Sequence, residues 1–384
     1  MPTDQSALAP QAEAARPRVL VIYGGRSAEH EVSCVSAKSI LAALGDLGSQ
    51  VGIIGVTRDG RWLDATGTLE VADSSPGLPS PDYLLARGLC EEMSPSQALV
   101  RAGCRPDVAD ASEGPPVVLP VLHGPNGEDG TVQGLLEMHS LAYWGAGVAG
   151  SAAAMDKVLA KALLKSAGIP TVRYLARSEW DLGSWEDLTA QVGDELGWPV
   201  FVKPANLGSS VGVQKVRRPE GLRQAICDAL RFDQHFLVEE AVRARELEIG
   251  VLGWPDLSAS CPGEVIPARE FYDYQDKYSD GAARLEVPAR LPQRLVEQMQ
   301  TLAVKSCRAL RVECMARVDF FLEEPGRGLL VNEVNTVPGF TPISMFPMAW
   351  AASGVPIQAL VGRLIEAALR RHERRAKLEL SPQS

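Results

Sequence analysis

The chain has 384 residues, 46% hydrophobic and 22% charged, with a formal net charge of −10. That length suits two or three domains, and the composition excludes a wholly disordered chain or a coiled coil. With 38 Lys and Arg against 48 Asp and Glu, the acidic balance argues against nucleic acid or an anionic membrane as a partner, because nothing offsets repulsion from phosphates.

No apolar run approaches the roughly 18–20 residues of a membrane helix. Residues 1–16 lack an apolar core segment and read as a loose, disordered tail rather than a secretory signal. The seven Cys are odd in number and include no C-x-x-C pair. This points to a reducing cytoplasm, with neither a disulfide frame nor a zinc ribbon. The five His show no H-x3-H spacing, which speaks against a zinc enzyme. Only 9 of the basic residues are Lys, so each Lys position carries information.

In chain order, the apolar run 19–23 ends in Gly24-Gly25 and suits a buried parallel strand. A helix over 31–44 and a strand over 51–56 complete a β-α-β start. Residues 66–114 are rich in Ser, Pro, Gly and Asp and predict no clear element. A strand over 117–122 runs into the loop 123–130, and Ser151 is expected to cap a helix reaching Ser166. Strands follow at 199–203, 210–216, 236–242 and 246–253, with a helix near 220–230. An amphipathic helix over 291–310, a hairpin pairing 315–323 with 328–336 and a helix over 356–370 complete the set. The expected organisation is an N-terminal α/β domain over 17–145, a central domain over 146–243, a C-terminal domain over 244–370 and a charged tail over 371–384.

Gly145-Ala146-Gly147-Val148-Ala149-Gly150 matches G-x-G-x-x-G, but no acidic residue follows at the spacing a dinucleotide ribose needs. A tight strand-to-helix turn is the better reading. Lys203 leaves a buried strand and meets the small-residue loop 205–213, where backbone N–H groups and the Ser209 and Ser210 hydroxyls can surround phosphates. A plain Gly-Ser hairpin fits the same residues. In the hairpin, a three-residue loop at 325–327 would set Asp319 opposite Glu333 and Arg317 opposite Asn335. Facing carboxylates repel unless a cation lies between them. Asp, Glu and Asn oxygens suit Mg²⁺, which keeps substrate phosphates in its shell. The alternative is a solvated face on which Arg317 neutralises both acids. Glu239 and Glu246 could accept from an adenine amino group and a ribose hydroxyl, or could be surface charge. Residues 272–281 make a plausible lid. Glu29 follows a parallel strand's C-terminal end, where open sheets bind ligands, and His123 follows another.

Taken together, 24–33, 123–130, Met155-Asp156-Lys157, Val202-Lys203-Pro204 with its loop, Lys277-Tyr278 and 332–342 resemble the D-alanine–D-alanine ligase family of the ATP-grasp superfamily. The resemblance runs in order from about 18 to 370, and the departure is 66–114. It implies α/β and α+β architecture: an ATP-grasp fold preceded by a Rossmann-like parallel-sheet domain. It implies ATP on Lys157, Lys203, Ser210, Glu239, Glu246 and Lys277, with the lysines on phosphates and the two acids on adenine and ribose. It implies two Mg²⁺ on Asp319, Glu333 and Asn335, with Glu333 bridging and Mn²⁺ able to substitute. Glu29 and His123 would hold the first D-alanine, and Ser344 and Met345 the second. Glu29, Ser209 and Tyr278 resemble the family's hydrogen-bonded trio, while Arg317 and the Gly339 N–H would stabilise an oxyanion. The product is D-alanyl-D-alanine for peptidoglycan, made in the cytoplasm by a homodimer.

Besides another ATP-grasp carboxylate–amine ligase, two rivals remain at this point. One is a D-alanine–D-lactate ligase, which does best by repelling ammonium and is thought to do so with a lid His; none occurs between 271 and 281, and Tyr278 is neutral near pH 7. The other is a non-catalytic ATP-binding regulator, which would be expected to lack the carboxylates or Lys203.

Overall fold

The computed structural model describes residues 18–67, 76–101, 116–267 and 284–379. The N-terminal part comprises β1 (Arg18–Gly24), α1 (His30–Asp46), β2 (Gln50–Val56), β3 (Trp62–Asp64), α2 (Pro81–Ala86), β4 (Glu92–Met93), α3 (Pro95–Arg101), β5 (Val117–Leu122), α4 (Thr131–Met138) and β6 (Ala142–Tyr143). Its sheet runs β4-β3-β2-β1-β5-β6. β1 pairs in parallel with β2 and β5, and β5 with β6, while β3 and β4 add an antiparallel edge. β1 and β5 are covered on both faces, which is why their sequences are continuous apolar runs without alternation. On one face lies α1, whose Cys34, Ala37, Ile40 and Leu44 recur at helical spacing.

The middle of the chain supplies α5 (Val148–Met155), α6 (Lys157–Ser166), β7 (Tyr174–Ser178), α7 (Trp185–Glu195), β8 (Val200–Pro204), β9 (Gln214–Val216), α8 (Leu222–Ala229) and β10 (His235–Glu240). Its sheet order is β7-β10-β8-β9. The last part contains β11 (Arg245–Gly253), β12 (Ser258–Ile266), β13 (Arg284–Glu286), α9 (Gln293–Ala309), β14 (Cys314–Glu323), β15 (Gly328–Asn335), α10 (Met345–Ala352) and α11 (Ile357–Ala376), with sheet order β13-β12-β11-β14-β15. Among the described residues no single helix is long and apolar enough to cross a membrane.

Three expectations need correction. The helix expected from Ser151 to Ser166 is two helices, α5 and α6, broken at Asp156. Asp156 is the cap, accepting from the N–H groups of Val158 and Leu159, while Ser151 lies inside α5 and donates to the Ala146 carbonyl. The strand expected over 210–216 is short, β9 alone, because Ser210 and Gly212 take positive φ. The charged tail expected from 371 is helical to Ala376.

That helical extension joins the two ends of the molecule. Arg371 is 3% exposed, donates to the Gly145 carbonyl at 2.5 Å and the Tyr143 carbonyl at 2.7 Å, and stacks over the Tyr143 ring. One turn on, Arg375 makes a two-bonded ion pair with Glu137, which also accepts from the Tyr143 hydroxyl. Beneath them, Phe340, Phe346 and Trp350 pack into the same core as β1 and β5, and Phe340 stacks on Trp144 at 5.4 Å. Gly150, in the G-x-G-x-x-G turn, has a packing reason: a Cβ there would meet the Arg311 carbonyl oxygen at 2.4 Å. Substituting Arg371→Met should cost about 2–4 kcal/mol of folding stability, because two buried carbonyls lose their donor. Urea unfolding monitored by tryptophan fluorescence checks this; an unchanged midpoint would contradict the role given to Arg371.

Candidate active site

The loop after β8 and the start of α6 meet through a lysine. The Lys157 N–H donates to the Ala205 carbonyl at 3.1 Å, and its Nζ donates to the Leu207 carbonyl at 2.5 Å. Ser209 and Ser210 sit at φ 51° and 58°, so successive residues of this loop turn their backbone through the left-handed region. One helical turn beyond Lys157, Lys161 reaches Glu239 Oε1 at 2.9 Å, and Lys203, at the end of β8, reaches Glu239 Oε2 at 2.6 Å. Burial alone would raise the Glu239 carboxyl, but Lys161 and Lys203 outweigh it and hold it down at about 2. Glu239, expected to accept from adenine, thus lies between two lysines. Its neighbour Glu240 accepts from Arg173 and Arg327 and clasps β10 to the hairpin turn.

The hairpin face is not solvated. Glu248 pairs across from Asp319, and Asp319 across from Glu333, so three carboxylates form one row over β11, β14 and β15. Arg317 pairs across from Asn335. It donates twice to Asp319, both at 2.7 Å, and its Nε lies 3.0 Å from Glu248. The Asp319 carboxyl is pushed up to about 7, first by burial and then by Glu248 and Glu333, with Arg317 acting against them. The connection at 324–327 has four residues rather than three, since Glu323 pairs with Gly328. A bulge between Asp319 and Phe320 restores the register: Phe320 pairs with Val331, Asp319 with Glu333, and Asn332 is the extra residue.

These donors fit Mg²⁺. They are carboxylate and amide oxygens, and Glu248 and Glu333 flank Asp319 across the strands, a crowding of negative charge that a dication would relieve. Among the described residues no three His, Cys, Asp or Glu groups converge as a metal cluster. A cation here would therefore draw on Asn335 and on phosphate oxygens as well. The Asn335 side-chain oxygen accepts from the Val337 N–H at 3.0 Å.

From the N-terminal sheet come Glu29 and the loop after β5. Glu29 caps α1 without a side-chain capping bond. A Cβ at Gly208 would sit 3.3 Å from Glu29 Oε2 and 3.8 Å from Glu128 Oε1, so both acids border the loop that carries Ser209. His123 is 4% exposed, and its Nδ1 lies 2.9 Å from the Val337 carbonyl, which can only accept. Nδ1 therefore carries the hydrogen, and Nε2, which lacks a protein partner among the described residues, is an acceptor. Burial lowers the His123 pKa, Glu29 opposes that, and Arg317 reinforces it.

Beyond β15, a Cβ on Gly339 would meet Ser344 Oγ at 2.8 Å, and that hydroxyl accepts from the Thr341 N–H and shares a hydrogen bond with Thr341 Oγ1. Met345 opens α10 with its side chain buried; a Cβ on Gly263 would meet its sulfur at 2.1 Å. Its side chain thus belongs to the packing of β12. Glu246 lies on β11. Lys277 and Tyr278 lie outside the described residues. Sequence reasoning missed Lys161, Glu248 and Glu128. The first two carry a signal in hindsight: Lys161 is four residues from Lys157 on a helix, and Glu248 two from Glu246 on a strand.

Two family models match, described as "D-ala D-ala ligase N-terminus" over residues 18–146 and "D-ala D-ala ligase C-terminus" over 163–366. The chain is 41% identical over 367 residues to the D-alanine–D-alanine ligase of Acetivibrio thermocellus, covering 93% of this chain and 97% of the relative. It is 44% identical to D-alanine–D-alanine ligase A of Mesorhizobium japonicum, covering 94% and 99%. Among solved structures, the D-alanine–D-alanine ligase of Coxiella burnetii superposes with a TM-score of 0.80 at 34% identity, covering 95% of this chain and 97% of that one. The VanG D-Ala:D-Ser ligase of Enterococcus faecalis superposes with a TM-score of 0.73 at 28% identity, covering 92% and 99%.

Glu128 yields a test that needs no substrate. Its carboxyl is pushed up to about 8 by burial, and then by Glu29 and Glu333, while the Gly124 N–H and Lys157 pull it down. Its ordinary value is 4.5, so between pH 4.5 and about 8 the folded chain holds a proton that the unfolded chain releases. Stability at this group therefore falls as pH rises through that window. Glu128→Gln, a permanent stand-in for the neutral acid, should gain stability relative to wild type progressively from pH 5 to pH 8 in chemical denaturation. Parallel curves would contradict the buried neutral acid.

Proposed function

The chain belongs to the D-alanine–D-alanine ligase family, and on that premise we propose how its residues join two D-alanines at the expense of ATP, supplying the dipeptide of peptidoglycan precursors. The ATP-grasp fold, with its Rossmann-like N-terminal domain, is the one shared with the Coxiella enzyme. The observation that carries the reading is the convergence of the lysines around the phosphate loop with the carboxylate row of the hairpin. A carboxylate is a poor electrophile. Its oxygen attacks the γ-phosphorus of ATP, ADP departs, and the resulting acyl phosphate has a good leaving group. The amine of the second D-alanine then attacks the carbonyl carbon and loses a proton, and inorganic phosphate leaves.

Each step needs charge control. Two anions approach in the first, so Lys157, Lys203 and Lys277 screen the phosphates, with Ser210 and its loop closing over them. Asp319, Glu333 and Asn335 would hold two Mg²⁺, Glu333 bridging, or Mn²⁺ in their place; the metal supplies further screening of phosphate charge. Glu239 and Glu246 serve adenine and ribose. Glu29 takes the ammonium of the first D-alanine. His123 lies by its carboxylate. Ser209, Glu29 and Tyr278 link the three parts of the site. Ser344 and the Met345 backbone receive the second amino acid. Arg317 and the Gly339 N–H stabilise the tetrahedral oxyanion. The working enzyme is a cytoplasmic homodimer without nucleic-acid or membrane partners, built from domains over 17–145, 146–243 and 244–370.

One mixture tests the function: ATP, Mg²⁺, D-alanine, and equal D-lactate and D-serine, with products weighed by mass spectrometry from pH 6 to pH 8. D-alanyl-D-alanine should dominate, and L-alanine alone should release no ADP. A majority of D-alanyl-D-lactate at pH 7 would move the chain to the depsipeptide ligases, and absence of any product would favour the regulator. Glu333→Gln should lower kcat by at least a hundredfold with circular dichroism unchanged, because an amide cannot carry the bridging charge. Near-normal turnover at millimolar Mg²⁺ would refute the paired-metal arrangement.

A further inference from the structure

Lys161 takes no part in the reaction as derived above, yet it is the most deeply buried lysine of the site. Its side chain is 2% exposed, against 13% for Lys203, and Glu239 between them is 3% exposed. Its ammonium lies 5.6 Å from the centre of the Tyr174 ring, which adds a second attraction. A carboxylate needs one cation for neutrality, and here it has two, one on each oxygen. Burying a second ammonium is costly unless something else uses it. The two lysines differ in access. Lys203 stands at the loop that surrounds phosphates, whereas Lys161 is sealed behind Glu239.

We propose that Lys161 is a positioning residue for the nucleotide: it remains the counter-ion of Glu239 when arriving phosphates draw Lys203 away. This deepens the reading of Lys203 and Glu239 as nucleotide contacts and rests on it. Glu239 holds both lysines. Phosphate oxygens then compete for Lys203, which leaves Glu239 Oε2. With Lys161 still on Oε1, the carboxylate stays ionised and fixed, and Oε2 faces the site as an acceptor. The 6-amino group of adenine is an N–H donor suited to that oxygen. Phosphate binding and base recognition are thus coupled through one carboxylate. Lys157 and Lys161 are one turn apart on α6, so a single helix face fixes the phosphate loop at Leu207 and the base acceptor at Glu239.

The test is nucleotide binding by calorimetry on the full chain with Mg²⁺ and no D-alanine, using ATP and the analogue that lacks the 6-amino group, purine riboside triphosphate. Lys161→Met should raise the Kd for ATP at least tenfold and reduce the preference for ATP over the analogue at least threefold. In turnover, KM for ATP should rise by more than kcat falls, and Lys161→Arg should restore most of the preference. A merely structural lysine would not change that preference, so an unchanged preference, or a fall in kcat alone, overturns the proposal. Lys203→Met separates the two layers. If it weakens ATP binding while Lys161→Met does not, only the role of Lys161 fails. If neither variant weakens binding, the nucleotide reading of this site fails as well. Should Lys161→Met not fold, the double variant Lys161→Met with Glu239→Gln removes the stranded charge. It should fold and lack the 6-amino preference, and a wild-type preference in it would overturn the proposal.

Discussion

Glu248, Asp319 and Glu333 stand side by side across three neighbouring strands, and a half-buried row of carboxylates is unfavourable unless cations reach it. Arg317 is the protein's own answer, bonded twice to Asp319 and lying against Glu248. It leaves the row negative, and Asp319 is raised first by burial and then by Glu248 and Glu333. Lys161 and Lys203 share Glu239, and Glu333 of the row also lies close enough to act on both of them.

The chain ends hold the parts of the site together. Glu29, His123 and Glu128 follow strands of the N-terminal sheet, whereas the carboxylate row belongs to the last sheet. Between them run the His123–Val337 contact, the Phe340 N–H bond to Ser36, and the grip of Arg371 and Arg375 on the β6 region. These contacts span more than 200 positions of sequence, and they place Glu29 within reach of the Gly208 loop. The middle sheet, which carries Lys203 and Glu239, has a core of its own around Val192, Val202, Ile226 and Phe236.

Much of this was legible in the sequence where burial imposes a pattern. β1, β5 and the helices α1 and α9 follow from apolar runs or from helical spacing, and the facing of Asp319 and Glu333 follows from strand alternation. What escaped is short or set by distant contacts. β3, β4, β6 and β13 have two or three residues, too few for a period. β12 contains Pro262 and Gly263 and reads as a loop, yet Gly263 is demanded by the Met345 sulfur packed on it. The break at Asp156 was hidden by good helix formers on both sides. Lys161 and Glu128 became meaningful only through what tertiary packing set beside them.

The bulge at Asn332 has a bearing on how this hairpin can vary. It lies between the reactive end, where Asp319 meets Glu333, and the turn at 324–327. Without it, the four-residue connection would carry its own pairing into the site and set Asn332 against Asp319. With it, the two ends of one hairpin keep independent registers. A one-residue deletion in the turn could be absorbed by loss of the bulge, leaving the carboxylates in place. The exposed tip is therefore free to vary in length, while Asp319 and Glu333, five and six residues from the turn, keep facing each other.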